Sequence, residues 1–208
     1  MDADAIGQGE LIDWAVAARA LTGQERSGDL HVVEPFPAGV LVAAVDGLGH
    51  GDEAAQAAQT AADTLIRHAN EPPLSLVRRC HEKLMSTRGV AMSVASFART
   101  NHTMSWLGVG NVEGSLFRGN RGSWPARESL LLRGGVVGYQ LPKLLASVVP
   151  VGPGDVLVFV TDGIGGYPFD GLSMTEQPAT IAEDILARFA RRTDDALVLV
   201  ARYRGDSS

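Results

Sequence analysis

The 208-residue chain has one cysteine, Cys80. It cannot close an internal disulfide, and without a Cys-x-x-Cys pair it offers neither a thiolate zinc site nor a redox couple. Positive charge is in the minority: 18 Lys and Arg stand against 24 Asp and Glu, a formal net charge of −6. Neutralising phosphates takes grouped Lys and Arg, so binding to nucleic acid or to an anionic membrane surface is disfavoured. No stretch approaches the roughly 18 apolar residues of a transmembrane helix. The N-terminus carries Asp2, Asp4 and Glu10 where a signal peptide has positive charge followed by an apolar run. A cytoplasmic protein is expected.

What is present is an ordinary globular composition, 45% apolar and 20% charged, on a chain of one domain's length, so residues 1–208 read as a single domain. Apolar segments bounded by Gly, Pro or Asp read as strands at Trp14 to Ala20, Gly39 to Val45, Val90 to Ala98, Thr103 to Val109, Val112 to Phe117, Val156 to Thr161 and Ala196 to Tyr203. Helical spacing runs from Asp52 to Ala69, from Leu74 to Met85 after two prolines, and from Pro178 to about Ala190. Arg118 to Glu128, with Trp124, reads as an exposed connection. Two strands, a helix pair, a long run of strands, then a helix and a last strand do not make a βαβ alternation. They predict an α/β (α+β) layered sandwich of mostly antiparallel sheets with helices on the outer faces.

The sharpest local feature is Val40-Leu41-Val42-Ala43-Ala44-Val45-Asp46-Gly47-Leu48-Gly49-His50-Gly51, an apolar strand running into an acid and three glycines. Such a segment presents a metal-binding carboxylate at the end of a buried strand, and a tight strand-to-helix turn would look the same. The glycine spacing is not that of a dinucleotide-binding loop. The design recurs at Val156 to Gly163, where a strand delivers Asp162-Gly163. Asp194-Asp195 precedes the last strand, and Asp29 follows Ser27-Gly28. Several carboxylates converging in a fold call for cations to balance them. Oxygen donors without cysteine point to Mg²⁺ or Mn²⁺, and two such ions about 3.5–4 Å apart can activate water against a phosphoryl group. Cys80 reads as a buried helix residue and Trp14 and Trp106 as core. His31, His68, His81 and His102 read as surface or capping residues.

In this order, Ser27-Gly28-Asp29, Asp46 to Gly51, Gly110-Asn111-Val112, Gly152-Pro153-Gly154-Asp155 with Thr161-Asp162-Gly163, and Asp194-Asp195 resemble the metal-dependent protein phosphatases of the type 2C (PPM) superfamily. The branch is the compact bacterial one of SpoIIE, RsbU and RsbX. With no fused sensor or membrane segment, the stand-alone RsbX type is the nearest pattern. The resemblance implies a four-layer αββα sandwich, two Mn²⁺ or Mg²⁺ ions, and a phosphoserine/phosphothreonine protein phosphatase working by direct attack of metal-bound water. It implies that Asp46 bridges the metals, that the Gly47 carbonyl, Asp162 and Asp194 are further ligands, and that Asp29 acts mainly through metal-bound water. Asp195 becomes a residue behind the ligands, and Gly110-Asn111 a structural turn. The substrate implied is a phosphorylated STAS-domain protein, an anti-sigma-factor antagonist or stressosome subunit.

The sequence departs from the wider superfamily at two places. Leu48 fills the position of a proposed general-acid histidine, leaving His50 two residues on either to protonate the leaving oxygen or to hold the glycine turn. Gln24 lies near the place of a phosphate-clamping arginine, with Arg26 its neighbour. Two other readings stand beside the first: a phosphatase-like module that docks a signalling partner with little catalysis, and a hydrolase of a small phosphorylated molecule.

Overall fold

The computed structural model describes residues 5–24, 26–120, 125–166, 169 and 171–205. Four strands come first: β1 (Ala5–Gln8), β2 (Ile12–Arg19), β3 (Asp29–Phe36) and β4 (Gly39–Gly47). Helices α1 (Asp52–Arg67) and α2 (Pro73–Leu84) follow. Then come β5 (Val90–Ala98), β6 (Thr103–Val109), β7 (Glu113–Phe117), β8 (Arg127–Ser129), β9 (Leu132–Arg133), β10 (Ser147–Pro150) and β11 (Val156–Val160). Helix α3 (Pro178–Phe189) and strand β12 (Ala196–Tyr203) complete the chain.

The strands form two sheets, ordered β1-β2-β12-β11-β7-β8 and β10-β6-β5-β4-β3, with β9 added in parallel to β6 and every other pairing antiparallel. Period-two alternation within apolar strands dictates the layering. Val40, Val42 and Ala44 of β4 meet Leu197, Leu199 and Tyr203 of β12 in the core between the sheets. Leu41, Ala43 and Val45 point the other way, against Ala58, Ala61 and Leu65 of α1 and Leu76 and Cys80 of α2. Val198 and Val200 of β12 pack outward on Ile181 and Ile185 of α3. Strands apolar on both faces thus lie between two covered faces, and the result is the four-layer αββα sandwich. No helix among the described residues is long and apolar enough to cross a membrane.

The three helices sit where the spacing predicts, α2 and α3 each starting on a proline at the first turn. The expected opening of two strands is corrected to four. Strand β3 carries His31, Glu34 and Pro35 and lies at a sheet edge, so it lacks the apolar run of an interior strand. Arg118 to Glu128 is not simply an exposed connection. Arg118 is 11% exposed at its side chain and ion-paired, and Arg127 opens β8; Trp124 lies outside the described residues. Cys80 and Trp106 are fully enclosed, whereas Trp14 is half-buried against His31. Burial pushes the Cys80 thiol up to about 12, which leaves it unreactive.

Candidate active site

Four strand ends meet at one end of the sandwich. Asp29 opens β3 directly opposite Asp46 near the end of antiparallel β4. Val160, at the end of β11, faces Val198 near the start of β12. Asp162 therefore follows one strand where Asp194 precedes its neighbour. Asp46, Asp162 and Asp194 line a cavity of about 290 Å³, joined there by His50 and Asn111. Asp29 lies deeper, and its Oδ2 accepts a 2.6 Å hydrogen bond from Thr161 Oγ1. A more apolar cavity of about 480 Å³ between the β1–β2 hairpin and β3, lined by Trp14 and Val33, holds none of these acids.

The turn after β4 is built from glycine for packing reasons. A Cβ on Gly47 would come within 2.2 Å of the Ala54 carbonyl oxygen, so only glycine lets α1 close on the strand end. Gly49 and Gly51 have φ of 88° and 78°, the left-handed region that side chains resist. The Gly47 N–H donates to the Gly28 carbonyl at 2.9 Å, which ties the Asp46 turn to the entry of β3.

Like charges directly opposite each other in a ladder are destabilising, and Asp29 and Asp46 are such a pair. Burial first, then the charges of Asp162, Asp194 and Asp195, push Asp46 up to about 7. Asp29 is held well above the ordinary carboxylate range by burial and by Asp46, partly offset by the Thr161 hydrogen bond. Asp194 is raised by burial and by Asp162. Among the described residues no Lys or Arg pairs with Asp29, Asp46, Asp162 or Asp194. The Asp46 carboxylate accepts no hydrogen bond there. The cluster thus holds more negative charge than the protein balances, on oxygen donors alone, and that chemistry fits a hard divalent cation. No three His, Cys, Asp or Glu side chains among the described residues close on a single point. Asp162 Oδ2 is instead engaged by Asn111 Nδ2 at 2.6 Å, and Asp194 Oδ1 by the Asp195 N–H at 3.0 Å. A shell with few protein groups, completed by water, is the usual arrangement for Mg²⁺.

Two residues do more than the sequence discloses. Gly110 makes a turn at φ 90°, but Asn111 beside it reaches into the cavity and orients Asp162. Asp195 is buried and faces away from the cavity: its Oδ1 accepts the Leu21 N–H at 2.7 Å and its Oδ2 the Gly28 N–H at 2.8 Å. It therefore fastens the segment before β3 to the start of β12, behind the acids. His50 is exposed at the rim, with no hydrogen bond from its imidazole to the glycine turn among the described residues. Gln24 Oε1 approaches Gly51, at 3.2 Å from where a Cβ would sit. Arg26 lines a separate cavity with Asp29 and His31. Of the remaining histidines, His68 closes α1 and pairs with Glu71, His81 accepts the Gly138 N–H, and His102 meets Tyr203 Oη at 2.8 Å. His31 departs from the surface reading: it is half-buried against Trp14, and burial lowers its pKa.

The family model of Stage II sporulation protein E (SpoIIE) matches residues 37–204, most of the chain and all of these acids except Asp29. The chain belongs to the SpoIIE family. It is thereby a metal-dependent serine/threonine protein phosphatase of the type 2C superfamily. No curated protein matches it. RsbX in complex with magnesium is 20% identical with a TM-score of 0.86, over 97% of this chain and 100% of that one. A chain solved in work on the bacterial stressosome is 25% identical with a TM-score of 0.82, over 92% and 99%. The catalytic domain of the phosphatase PstP with two manganese ions is 16% identical with a TM-score of 0.63, over 93% and 99%. These solved structures share the four-layer fold of this SpoIIE-family chain.

Proposed function

We propose that this SpoIIE-family phosphatase binds two divalent ions, Mn²⁺ or Mg²⁺, through Asp46, the Gly47 carbonyl, Asp162 and Asp194, with Asp29 contributing through water. Its substrate on this reading is a phosphorylated STAS-domain protein of the cytoplasm, an anti-sigma-factor antagonist or a stressosome subunit. The observation that carries the site is the convergence of four acids from four strand ends, none of them ion-paired with a Lys or Arg among the described residues. The likeness to RsbX and to the stressosome-associated chain supports the substrate class.

Bound ions would supply Lewis-acid activation of a water and charge stabilisation at the transferred phosphoryl group. The chain's own residues do the rest. Asp46 lies in the cavity with Asp162 and Asp194 near it, Asn111 fixes the rotamer of Asp162, and Thr161 does the same for Asp29. On this reading His50, exposed at the rim and with no hydrogen bond from its ring among the described residues, protonates the departing serine or threonine oxygen. A module that only docks a partner has no need to keep four mutually repelling acids together, one of them buried, which favours catalysis.

The test is release of phosphate from a phosphorylated STAS-domain protein with and without Mn²⁺, with Asp46→Asn as the control. Activity is expected only with metal and is expected to vanish in the variant. Metal-independent release, or full activity in Asp46→Asn, would sink the reading. A phosphoserine peptide and a small phosphate ester run in parallel separate a protein substrate from a small one.

A further inference from the structure

Beside the carboxylate cavity lies a second one, of about 350 Å³, that shares Asp162 and Asn111 with it. Its wall includes Arg191, in the connection between α3 and β12, the only Arg or Lys lining either cavity among the described residues. The backbone here is pinned. Arg191 N–H donates to the Gly163 carbonyl at 2.7 Å, its own carbonyl accepts Arg19 Nη2 at 2.7 Å, and Gly165 N–H donates to the Phe189 carbonyl at 2.9 Å. The side chain is laid over Gly165, where a Cβ would come within 2.7 Å of Nε. Glycine at that position lets the guanidinium lie close to the backbone.

Among the described residues the Arg191 head group makes no ion pair and no side-chain hydrogen bond, although the carboxylates of Glu113 and Asp162 line the same cavity. Arg118 with Asp155 and Glu128, Arg88 with Glu53 and Arg79 with Glu71 are partnered; Arg191 is set apart by lining a cavity that shares Asp162 and Asn111 with the carboxylate site. Arg191 is exposed, and a five-donor fork open to solvent beside the carboxylate cavity suits an anion that arrives with the substrate.

We propose that Arg191 and this cavity bind an oxyanion of the phosphoprotein substrate, either the phosphoryl group itself or an acidic side chain beside the phosphorylated residue. The proposal rests on the phosphatase reading above. Arg191 is then a substrate-binding and specificity residue: the fork grips two oxygens of the incoming anion, and the pinned backbone fixes where the side chain starts.

The test compares wild type, Arg191→Ala and Arg191→Lys, all loaded with Mn²⁺, on p-nitrophenyl phosphate and on phosphoserine peptides with acidic or neutral flanks. Calorimetric binding of inorganic phosphate and of the same peptides is measured beside the kinetics. Losing one charge-assisted contact is expected to raise KM about tenfold in Arg191→Ala, with a smaller change in kcat, and Arg191→Lys is expected to recover part of it. If the phosphoryl group is the anion, KM for every substrate and the Kd for phosphate rise together. If it is a flanking acid, only the acidic peptide weakens. Unchanged KM and unchanged binding across all ligands overturns the proposal. If wild type hydrolyses nothing, the phosphatase reading fails, and the binding arm still decides Arg191: weaker phosphate or peptide binding in Arg191→Ala upholds the anion site, equal binding overturns it. Mn²⁺ affinity and thermal midpoint are expected to match wild type, which separates lost contact from lost structure.

Discussion

Strand β11 has an aspartate just beyond each end, and the fold treats the two in opposite ways. At its start, Asp155 is 5% exposed and fully engaged. Its Oδ2 accepts from Arg118 Nη1 at 2.8 Å and from the Gly152 N–H at 3.1 Å, and its Oδ1 accepts from the Gly119 N–H at 2.8 Å. Beyond the other end, Asp162 is half-buried and, among the described residues, has one hydrogen-bond partner, the neutral amide of Asn111, no ion pair, and the acids Asp46 and Asp194 near it. A buried carboxylate with a guanidinium and two backbone amides is complete within the protein. Asp162, left half-buried among like charges, suits a counter-charge supplied from outside, which the proposed metal site would provide. The difference separates a structural acid from a functional one although both stand next to a glycine at a strand end.

Exchanging the damage between the two ends is the strongest way to break that contrast. If Asp162 is the metal ligand proposed above, Asp162→Ala is expected to lower kcat/KM by about a thousandfold, with little loss of stability in the metal-free protein. Asp155→Ala leaves Arg118 without its most buried partner and is expected to cost about 3 kcal/mol, seen as a lower urea midpoint. Its phosphate release per folded molecule is expected to stay within a few-fold of wild type. If Asp155→Ala were inactive while well folded, or Asp162→Ala active but unstable, the division of roles would be wrong.

Asp195 sharpens the contrast because it sits at the functional end yet is satisfied like a structural acid, by the Leu21 and Gly28 N–H groups. Removing its carboxylate frees the segment that leads into Asp29, and through the Gly28 carbonyl it loosens Gly47. Asp195→Ala is expected to weaken Mn²⁺ binding about tenfold, as groups behind a metal ligand typically do. It is also expected to cost about 2 kcal/mol for two lost hydrogen bonds. Titration calorimetry and denaturation measure both, and undiminished Mn²⁺ affinity would leave Asp195 a purely structural fastener.

Much of this was legible in the sequence, for identifiable reasons. Strands β4, β11 and β12 are apolar on both faces, and an acid interrupting or bordering such a run stands out. The layers followed from helices grouped apart from strands. What stayed hidden depends on partners far away in the chain. Arg118 reads as a solvated charge until Asp155, 37 residues on, meets it. The resemblance sets Asp195 behind the ligands, but Asp195 and Gly28 are 167 residues apart, so nothing local reveals what its carboxylate fastens. Asn111 carries a signal only as a polar residue in a Gly-Asn turn, and its direction toward Asp162 comes from the pairing of β7 with β11. Strand β3 and the strands of two to four residues at β8 to β10 have too short or too polar a pattern to register.

The smallest effect concerns pH, and it tests whether the functional end carries uncompensated charge in the folded protein. Asp46 is raised from an ordinary carboxylate value to about 7, and Asp29 is raised with it. A carboxyl with a raised folded-state pKa binds more protons folded than unfolded, so its contribution to stability is present below the unfolded pKa and is lost as pH climbs through the folded one. The metal-free protein is therefore expected to lose about 5 °C in thermal midpoint between pH 5 and pH 8. Mn²⁺ competes with those protons, so its stabilisation is expected to be slight at pH 5 and largest at pH 8. Asp46→Asn removes one of the repelling charges and is expected to flatten the metal-free decline. Scanning calorimetry at both pH values, with and without Mn²⁺, reads all three, and a metal-free midpoint that rises toward pH 8 would mean that the acids are already balanced by the protein itself.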